Sequence, residues 1–234
     1  MRLVFFFFSA VLLFSCGEGA PADGKVDSNS TAASAEIVPR FDAGSVQKLN
    51  EKEIPANCSY KGKLKVGYKW KDKLGENVFI AAESGEIGSE SYNEEIGEYM
   101  YYKEASVYAY HYVVSGSEAK LIRELHDFES KCEFDVNANF LPSTIQVTDL
   151  DSDNLGEVWM MYRTYCLSDV SPSDLKIIMF QNAQKYAMRG ETKIDWGDGT
   201  FDGGTYKLDD AFKASPEVFQ NFAKSMWNNH IDGR

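Results

Sequence analysis

Asp149, Asp151 and Asp153 stand two residues apart in the stretch TDLDSDNLGEVWMMY, residues 148–162, and Glu157 follows just ahead of a run of large apolar side chains. Alternate carboxylates in a turning segment supply hard oxygens in a tight arc, which is the coordination Ca²⁺ prefers. With Asp149 as the first ligand, Asp151 falls third, Asp153 fifth, the carbonyl of Leu155 seventh and Glu157 ninth. Asn154 occupies a position where such loops usually have glycine, although Asn enters the left-handed region more readily than most residues. The twelfth position is Met160 rather than Glu, so a helix–loop–helix site is not expected. The alternative is an Asx-rich turn, in which Asp and Asn side chains satisfy backbone donors without metal. Three carboxylates with no adjacent Lys or Arg repel one another, which argues for a cation. Calcium held here, at weak affinity suited to extracellular concentrations, would be structural: it would pin a hairpin and take no part in catalysis.

Other chemistry is sparse. The three histidines, His111, His126 and His230, form no pair at metal-binding spacing, and His126 beside Asp127 reads more readily as a surface or strand residue than as a dyad. The chain lacks GxSxG, a phosphate-binding loop and a dinucleotide-binding glycine pattern. Paired carboxylates for glycan hydrolysis would have to come together from distant parts of the chain. Tyr99, Tyr101, Tyr102, Tyr108, Tyr110 and Tyr112 could form an aromatic face on which sugar rings stack, or pack as ordinary strand residues; Tyr108, Tyr110 and Tyr112 alternate and would share one face of a strand. DWGDGTFDGG, residues 195–204, is similar to a short signature of PKD-type domains but reads better as a glycine-rich loop between the last strand and a terminal helix. The D-x-D-x-D-x-x-x-E spacing from Asp149 to Glu157, placed before a strand, resembles the calcium loops of FG-GAP-type propeller blades; a single copy does not imply a propeller.

Location is written at the start of the chain. Arg2 precedes an apolar run from Leu3 to Phe14, too short to span a bilayer and arranged as a secretory signal. Leu13-Phe14-Ser15-Cys16 resembles the bacterial lipobox, which implies removal of residues 1–15 and acylation of Cys16, a durable membrane anchor. Gly17, rather than Asp, follows the cysteine and favours the outer membrane. Residues 16–45 are rich in Gly, Ala, Ser and Asp and read as a lipidated cysteine with a flexible tether. Residues 46–234 are expected to form a single domain. With 24 basic and 36 acidic residues the net charge is −12, and without a basic run the chain lacks the footing for nucleic-acid binding. With Cys16 acylated, Cys58, Cys132 and Cys166 remain in an oxidising compartment, and a Cys132–Cys166 disulfide with Cys58 free is expected.

The elements that must position these residues are mostly strands. Residues 76–83 form an apolar run between glycines, and 98–116 alternate over a length that fits two strands joined near Lys103–Ser106 or one long strand. Residues 119–132 carry helical spacing but lie among strands, so a strand running into a helical turn is expected. Short β segments then recur at roughly ten-residue intervals, the rhythm of an antiparallel meander. SPEVFQNFAKSMWNN closes the chain as a helix, with Ser215 as its cap, Pro216 in the first helical position, and Val218, Phe219, Phe222, Met226 and Trp227 as one apolar stripe. The expected fold is therefore α+β, mainly β: an antiparallel sheet meander with a C-terminal helix packed on it.

Taken together, residues 60–80, 107–113, the segment ending at Cys132, TDLDSDNLGEVWMMY, and DVSPSDLKIIMF (169–180) resemble a family of small bacterial lipoproteins named for surface polysaccharide biosynthesis. KYAMRG (185–190) and AFKASPEVFQNFAKSMW (211–227) extend the resemblance over nearly all of the domain from residue 57. Asn154 and the glycine-rich 195–204 stretch depart from it. The resemblance implies an envelope protein with no assigned catalytic residues. The expectation is a membrane-anchored, non-enzymatic binding or accessory module whose partner is surface polysaccharide or an envelope protein. An envelope enzyme acting on glycans through paired carboxylates, or a purely structural calcium-stabilised module, are the alternatives.

Overall fold

Alternating and continuous apolar runs become two antiparallel sheets in the computed structural model, which describes residues 41–232. The signal segment 1–15, the lipidation site Cys16 and the tether up to residue 40 lie outside the described residues. The first sheet is built from β1 (Gln47–Leu49), β2 (Lys63–Asp72), β3 (Gly75–Glu83), β4 (Ile87–Asn93), β5 (Glu98–Ser115) and β6 (Glu118–Cys132). The second contains β7 (Asp135–Phe140), β8 (Gln146–Thr148), β9 (Glu157–Leu167), β10 (Asp174–Gln181) and β11 (Gln184–Glu191). A small hairpin of β12 (Lys193–Asp195) and β13 (Phe201–Gly203) follows, and β14 (Tyr206–Leu208) then pairs with β11 at the edge of the second sheet. Two helices end the chain, α1 (Asp210–Lys213) and α2 (Glu217–His230).

The long strands β5 and β9 organise the two sheets in the same way. Along one edge of β5, β3 pairs with residues 107–114 and β4 with residues 98–104. Along one edge of β9, β7 pairs with residues 162–167 and β8 with residues 157–159. Each edge is thus served by two short strands with a break between them, and a hydroxyl fills each break. Ser84 Oγ accepts the amide of Ser106 at 2.8 Å, and Thr144 Oγ1 accepts the amide of Met161 at 3.1 Å. These bonds replace ladder bonds that the missing strand residues would have made, so the backbone of β5 and β9 stays satisfied through the interruption.

The sheets face each other across a core that includes Trp70, Phe79 and Val107 from the first and Phe140, Met160 and Phe180 from the second. Phe41, at the end of the stretch read as tether, packs against this core. The other face of the second sheet, with Trp159, Met161, Ile177 and Met179, is covered by Phe212 and by Phe219, Ala223, Met226 and Trp227 of α2. Helical periodicity therefore located the covering helix, but the stripe is rotated from expectation: Val218 is exposed and Ala223 is buried. Its cap also differs. Pro216 stands at the N-cap, while the hydroxyl of Ser215 bonds back to the carbonyl of Phe212 and closes α1, whose own cap is Asp209.

Residues 118–132 are strand throughout, without the expected helical turn, because pairing along β5 outweighs local spacing. Bulges absorb the mismatch opposite residues 103–105 and 111–112. Residues 98–115 form one strand, and the glycine-rich stretch near 195–204 is a hairpin rather than a plain loop. Between β6 and β7 the chain passes from the first sheet to the second, and there the Cys132–Cys166 disulfide joins the ends of β6 and β9, with Cα atoms 5.6 Å apart. Cys58 is free but only 3% exposed, packed under the first sheet.

These thiols give a prediction. Native, oxidised protein should resist alkylation, with Cys58 becoming reactive only in denaturant and Cys132 and Cys166 only after reduction. Replacing both bridged cysteines by alanine should cost about 4 kcal/mol of unfolding free energy in urea titrations, the chain-entropy value for a loop of this span. Rapid labelling of Cys58 in native protein, or an unchanged urea midpoint in the double variant, would contradict this placement.

Candidate functional site

The acidic loop sits between β8 and β9, where Thr148 and Glu157 pair at the base of the hairpin. Ser152 and Asn154 take positive φ, 59° and 65°, so Asn154 adopts the left-handed conformation in place of glycine. The backbone turns so that Asp149, Asp151 and Asp153 each bring an oxygen within 4.8 Å of the others, a group that could hold a metal ion. One oxygen of each also serves the loop itself. Asp149 Oδ2 accepts the amide of Asn154 at 3.3 Å, Asp151 Oδ1 that of Asp153 at 3.3 Å, and Asp153 Oδ1 that of Leu155 at 2.8 Å. The second oxygens of Asp151 and Asp153 share the side-chain amide of Gln181, at 3.3 Å each. Asp149 Oδ1 is buried and accepts no hydrogen bond from the described residues.

Glu157 is placed differently. Its carboxylate is fully buried and accepts the hydroxyl of Thr148 at 2.5 Å and the amide of Leu150 at 3.0 Å, closing the base of the loop from below. Burial pushes it up to about 7, against the pull of those two donors and with added repulsion from Asp151 and Asp149. Burial and the neighbouring Asp151 and Asp149 also raise the Asp153 carboxyl, although the Leu155 amide opposes them. No Lys or Arg among the described residues forms an ion pair with this group. The Asx-turn and the cation-ready cluster are thus the same object seen from its two sets of oxygens.

Sequence reading missed what holds the loop in place. Asp72, at the end of β2 and 1% exposed, accepts four donors: Trp70 Nε1 (2.9 Å), the amide of Leu74 (2.8 Å), Asn77 Nδ2 (2.8 Å) and, from the loop, the amide of Gly156 (2.9 Å). A Cβ at Gly156 would collide with the indole of Trp70, so glycine is what lets the loop backbone reach this carboxylate. Nearby, the amide of Lys73 bonds to the carbonyl of Asn154 at 3.0 Å. The network continues inward. Asn77 donates its amide to Asp72, so its Oδ1 must receive the Nε2 proton of His111 at 2.9 Å. His111 is fully buried and stacked on Trp70 with ring centroids 5.3 Å apart; its Nδ1 has no partner among the described residues. Alternation along β5 marked His111 as sharing a face with Ala109 and Val113, but nothing local marked Asp72 or Asn77 as its network.

The expected glycan-stacking face is corrected. Tyr110 and Tyr112 are 8% and 5% exposed, and residues 58–61 lie over them. The hydroxyl of Tyr112 donates to the carbonyl of Ser59 at 2.5 Å, and that of Tyr110 accepts the amide of Lys61 at 3.3 Å. Tyr108 is partly buried and stacks on His126, centroids 4.7 Å apart. The three do share a face, as alternation requires, but the chain's own segment covers it. Of the other tyrosines of β5, Tyr99 and Tyr101 are exposed and Tyr102 is half-buried, and Tyr92 on β4 and Tyr206 on β14 are exposed as well.

Burial lowers His111 to about 4, with Asp72 opposing the shift. An unfolded histidine titrates near 6.5, so between these values the unfolded chain binds a proton that the folded chain refuses. Stability should therefore fall as pH drops from about 6.5 to about 4, by on the order of 3 kcal/mol from this residue. A His111→Gln variant, which keeps a donor for Asn77, should show a shallower acid limb in urea titrations over that window; an identical slope would remove His111 as its source. Comparison with protein-family models, with curated proteins and with solved structures finds no match to this chain.

Proposed function

We propose that the protein is a membrane-anchored module of the bacterial cell envelope, non-enzymatic, whose acidic loop binds calcium and thereby fixes the β8–β9 hairpin against the β2–β3 turn. The observation that carries the calcium reading is the approach of Asp149, Asp151 and Asp153 to within 4.8 Å of one another, together with a buried oxygen, Asp149 Oδ1, that no donor among the described residues satisfies. A buried acceptor without a partner costs about 1–3 kcal/mol, and a hard cation among three carboxylates removes that cost along with their mutual repulsion. The loop is also braced before any ion arrives, through Gly156 on Asp72 and Lys73 on Asn154, which favours a structural ion over a switch. Ligation by the Leu155 carbonyl would complete the set; Glu157, engaged by Thr148 and Leu150, would serve from behind.

Anchoring rests on the Leu13-Phe14-Ser15-Cys16 sequence, and a link to surface polysaccharide rests on the resemblance described above. Outer-membrane placement is supported by Gly17 after the cysteine. A binding or accessory role is favoured by how the most deeply buried carboxylates are used: Asp72, Glu83 and Glu157 each accept backbone amides within the fold rather than facing a cleft.

Thermal unfolding in chelator and in about 5 mM Ca²⁺ tests the calcium reading. A dissociation constant of about 0.5 mM, typical of extracellular sites, would add about 1.4 kcal/mol at that concentration. That corresponds to a rise in Tm of about 3–5 °C, and it should vanish in Asp151→Ala. No rise, or an equal rise in the variant, would leave the loop an Asx-rich turn. Anchoring is tested separately: Cys16→Ser should move the protein from the membrane to the soluble fraction of cells, and continued tight membrane association would refute acylation as the anchor.

A further inference from the structure

Past the break at Ser84–Glu86, β4 and the first residues of β5 leave the body of the first sheet as a two-stranded ribbon. Among the described residues β4 pairs only with β5, and residues 98–102 of β5 pair only with β4, because β6 begins its pairing at Lys103. The outer edge of β4 therefore presents its alternate amides and carbonyls to solvent, a ready template for another strand. Isolated two-stranded ribbons are marginal in water, and this one carries large apolar side chains into solvent. Tyr99 is 74% exposed, and Ile87, Tyr92, Ile96 and Tyr101 are exposed as well.

Register sorts these residues into faces. Tyr92 lies opposite Tyr99, Glu90 opposite Tyr101 and Gly88 opposite Lys103, so the three tyrosines and Glu90 share one face. Tyr92 and Tyr99 meet edge to face with centroids 5.3 Å apart. Tyr101 lies across Gly88, in space that any Cβ there would occupy. Charge is equally one-sided. Between residues 86 and 104 there are six glutamates (86, 90, 94, 95, 98 and 104) and one lysine (103), a net −5 of the chain's −12, and Lys103 is paired with Glu86 at 3.4 Å.

We propose that this ribbon is the docking site for a basic, extended segment of a partner protein, which adds as a strand along the free edge of β4 and lays Lys or Arg side chains across Tyr99 and Tyr101 beside Glu90. Aromatic faces in an acidic setting suit cationic side chains, and the open edge supplies the regular run of backbone donors and acceptors that an extended peptide matches. A second copy of this chain is disfavoured, since the ribbon would meet its own net charge of −5. The proposal rests on reading the protein as a binding module and is independent of the calcium loop, so neither the thermal shift nor the membrane fractionation above bears on it.

The test is fluorescence anisotropy of a short labelled peptide of alternating lysine and valine titrated with the purified protein, with hydrogen exchange followed on the complex. Tyr99→Ala/Tyr101→Ala should weaken binding about tenfold, the scale of two exposed cation–π contacts. Glu90→Gln should weaken it severalfold, while Glu51→Gln, with the same change in net charge, should leave it unchanged. Amides of residues 87–93 should gain protection. Equal weakening by the control variant would mean bulk attraction and overturn the site. Binding without protection of 87–93 would overturn strand addition, and tighter binding of a neutral oligosaccharide than of the peptide would assign the tyrosines to glycan.

Discussion

Asp72 is the bond on which the arrangement of the two sheets turns. Its carboxylate belongs to the first sheet, yet one of its four donors is the Gly156 amide at the entry to β9 in the second. Two other carboxylates of the first sheet reach across in the same sense. Glu83 accepts the amide of Phe140 at 2.8 Å, and Asp127 accepts the hydroxyl of Tyr162 and the ammonium of Lys176, each at 2.8 Å. Apolar packing between sheets is non-directional, and it would tolerate a slide of one sheet over the other. Charged acceptors that must meet particular donors do not tolerate it, since each donor left unpaired in the interior carries a penalty of about 1–3 kcal/mol. The core supplies the attraction between the sheets, and these three acids fix their register.

The acidic loop is a consequence of that registration. Gly156 on Asp72 and Asn154 on Lys73 hold the two ends of its last turn, and Leu150 and Thr148 on Glu157 hold the first. The aspartates between are pressed together by backbone constraints imposed at both sides, and their repulsion is the cost of that geometry. A chain that places a buried glutamate beneath three carboxylates has two ways to relieve the charge, a proton on Glu157 or a cation above it. Burial raises the Glu157 carboxyl to about 7, which brings the proton within reach near neutral pH.

Local pattern carried the strands, the helix and the disulfide because each depends on neighbours in sequence or on a small number of possible pairs. Alternation placed Tyr108, Tyr110 and Tyr112 on one face, and they share one. It could not say that residues 58–61, which have no periodicity, would cover that face while the similar alternation at Tyr99 and Tyr101 would stay open. The distinction lies in how far the second sheet and the covering segment extend, which is a property of the assembled layers. Asp72 was illegible for the same reason: its donors come from residues 70, 74, 77 and 156, and only the last makes it structural for the loop. The cap of α2 was misread by local chemistry alone, since Ser215 suits a cap well but is already engaged in ending α1.

The two breaks in the sheet edges explain why both candidate functional segments lie where they do. A continuous partner strand along β5 would have continued the core's twist and kept residues 87–102 under the second sheet. A continuous partner along β9 would have left no corner from which the β8 hairpin could turn back toward Asp72. Ser84 and Thr144 make each interruption affordable by accepting the one amide that would otherwise be orphaned in or near the core. Beyond Ser84 the chain is free to project as an acidic, tyrosine-bearing ribbon, and beyond Thr144 it is free to fold the aspartates into an arc. Each hydroxyl thus separates a segment packed in the core from one that leaves it. Valine or alanine at either position would leave the core side of the break intact in composition, yet would remove the acceptor that lets the strand change its partner there.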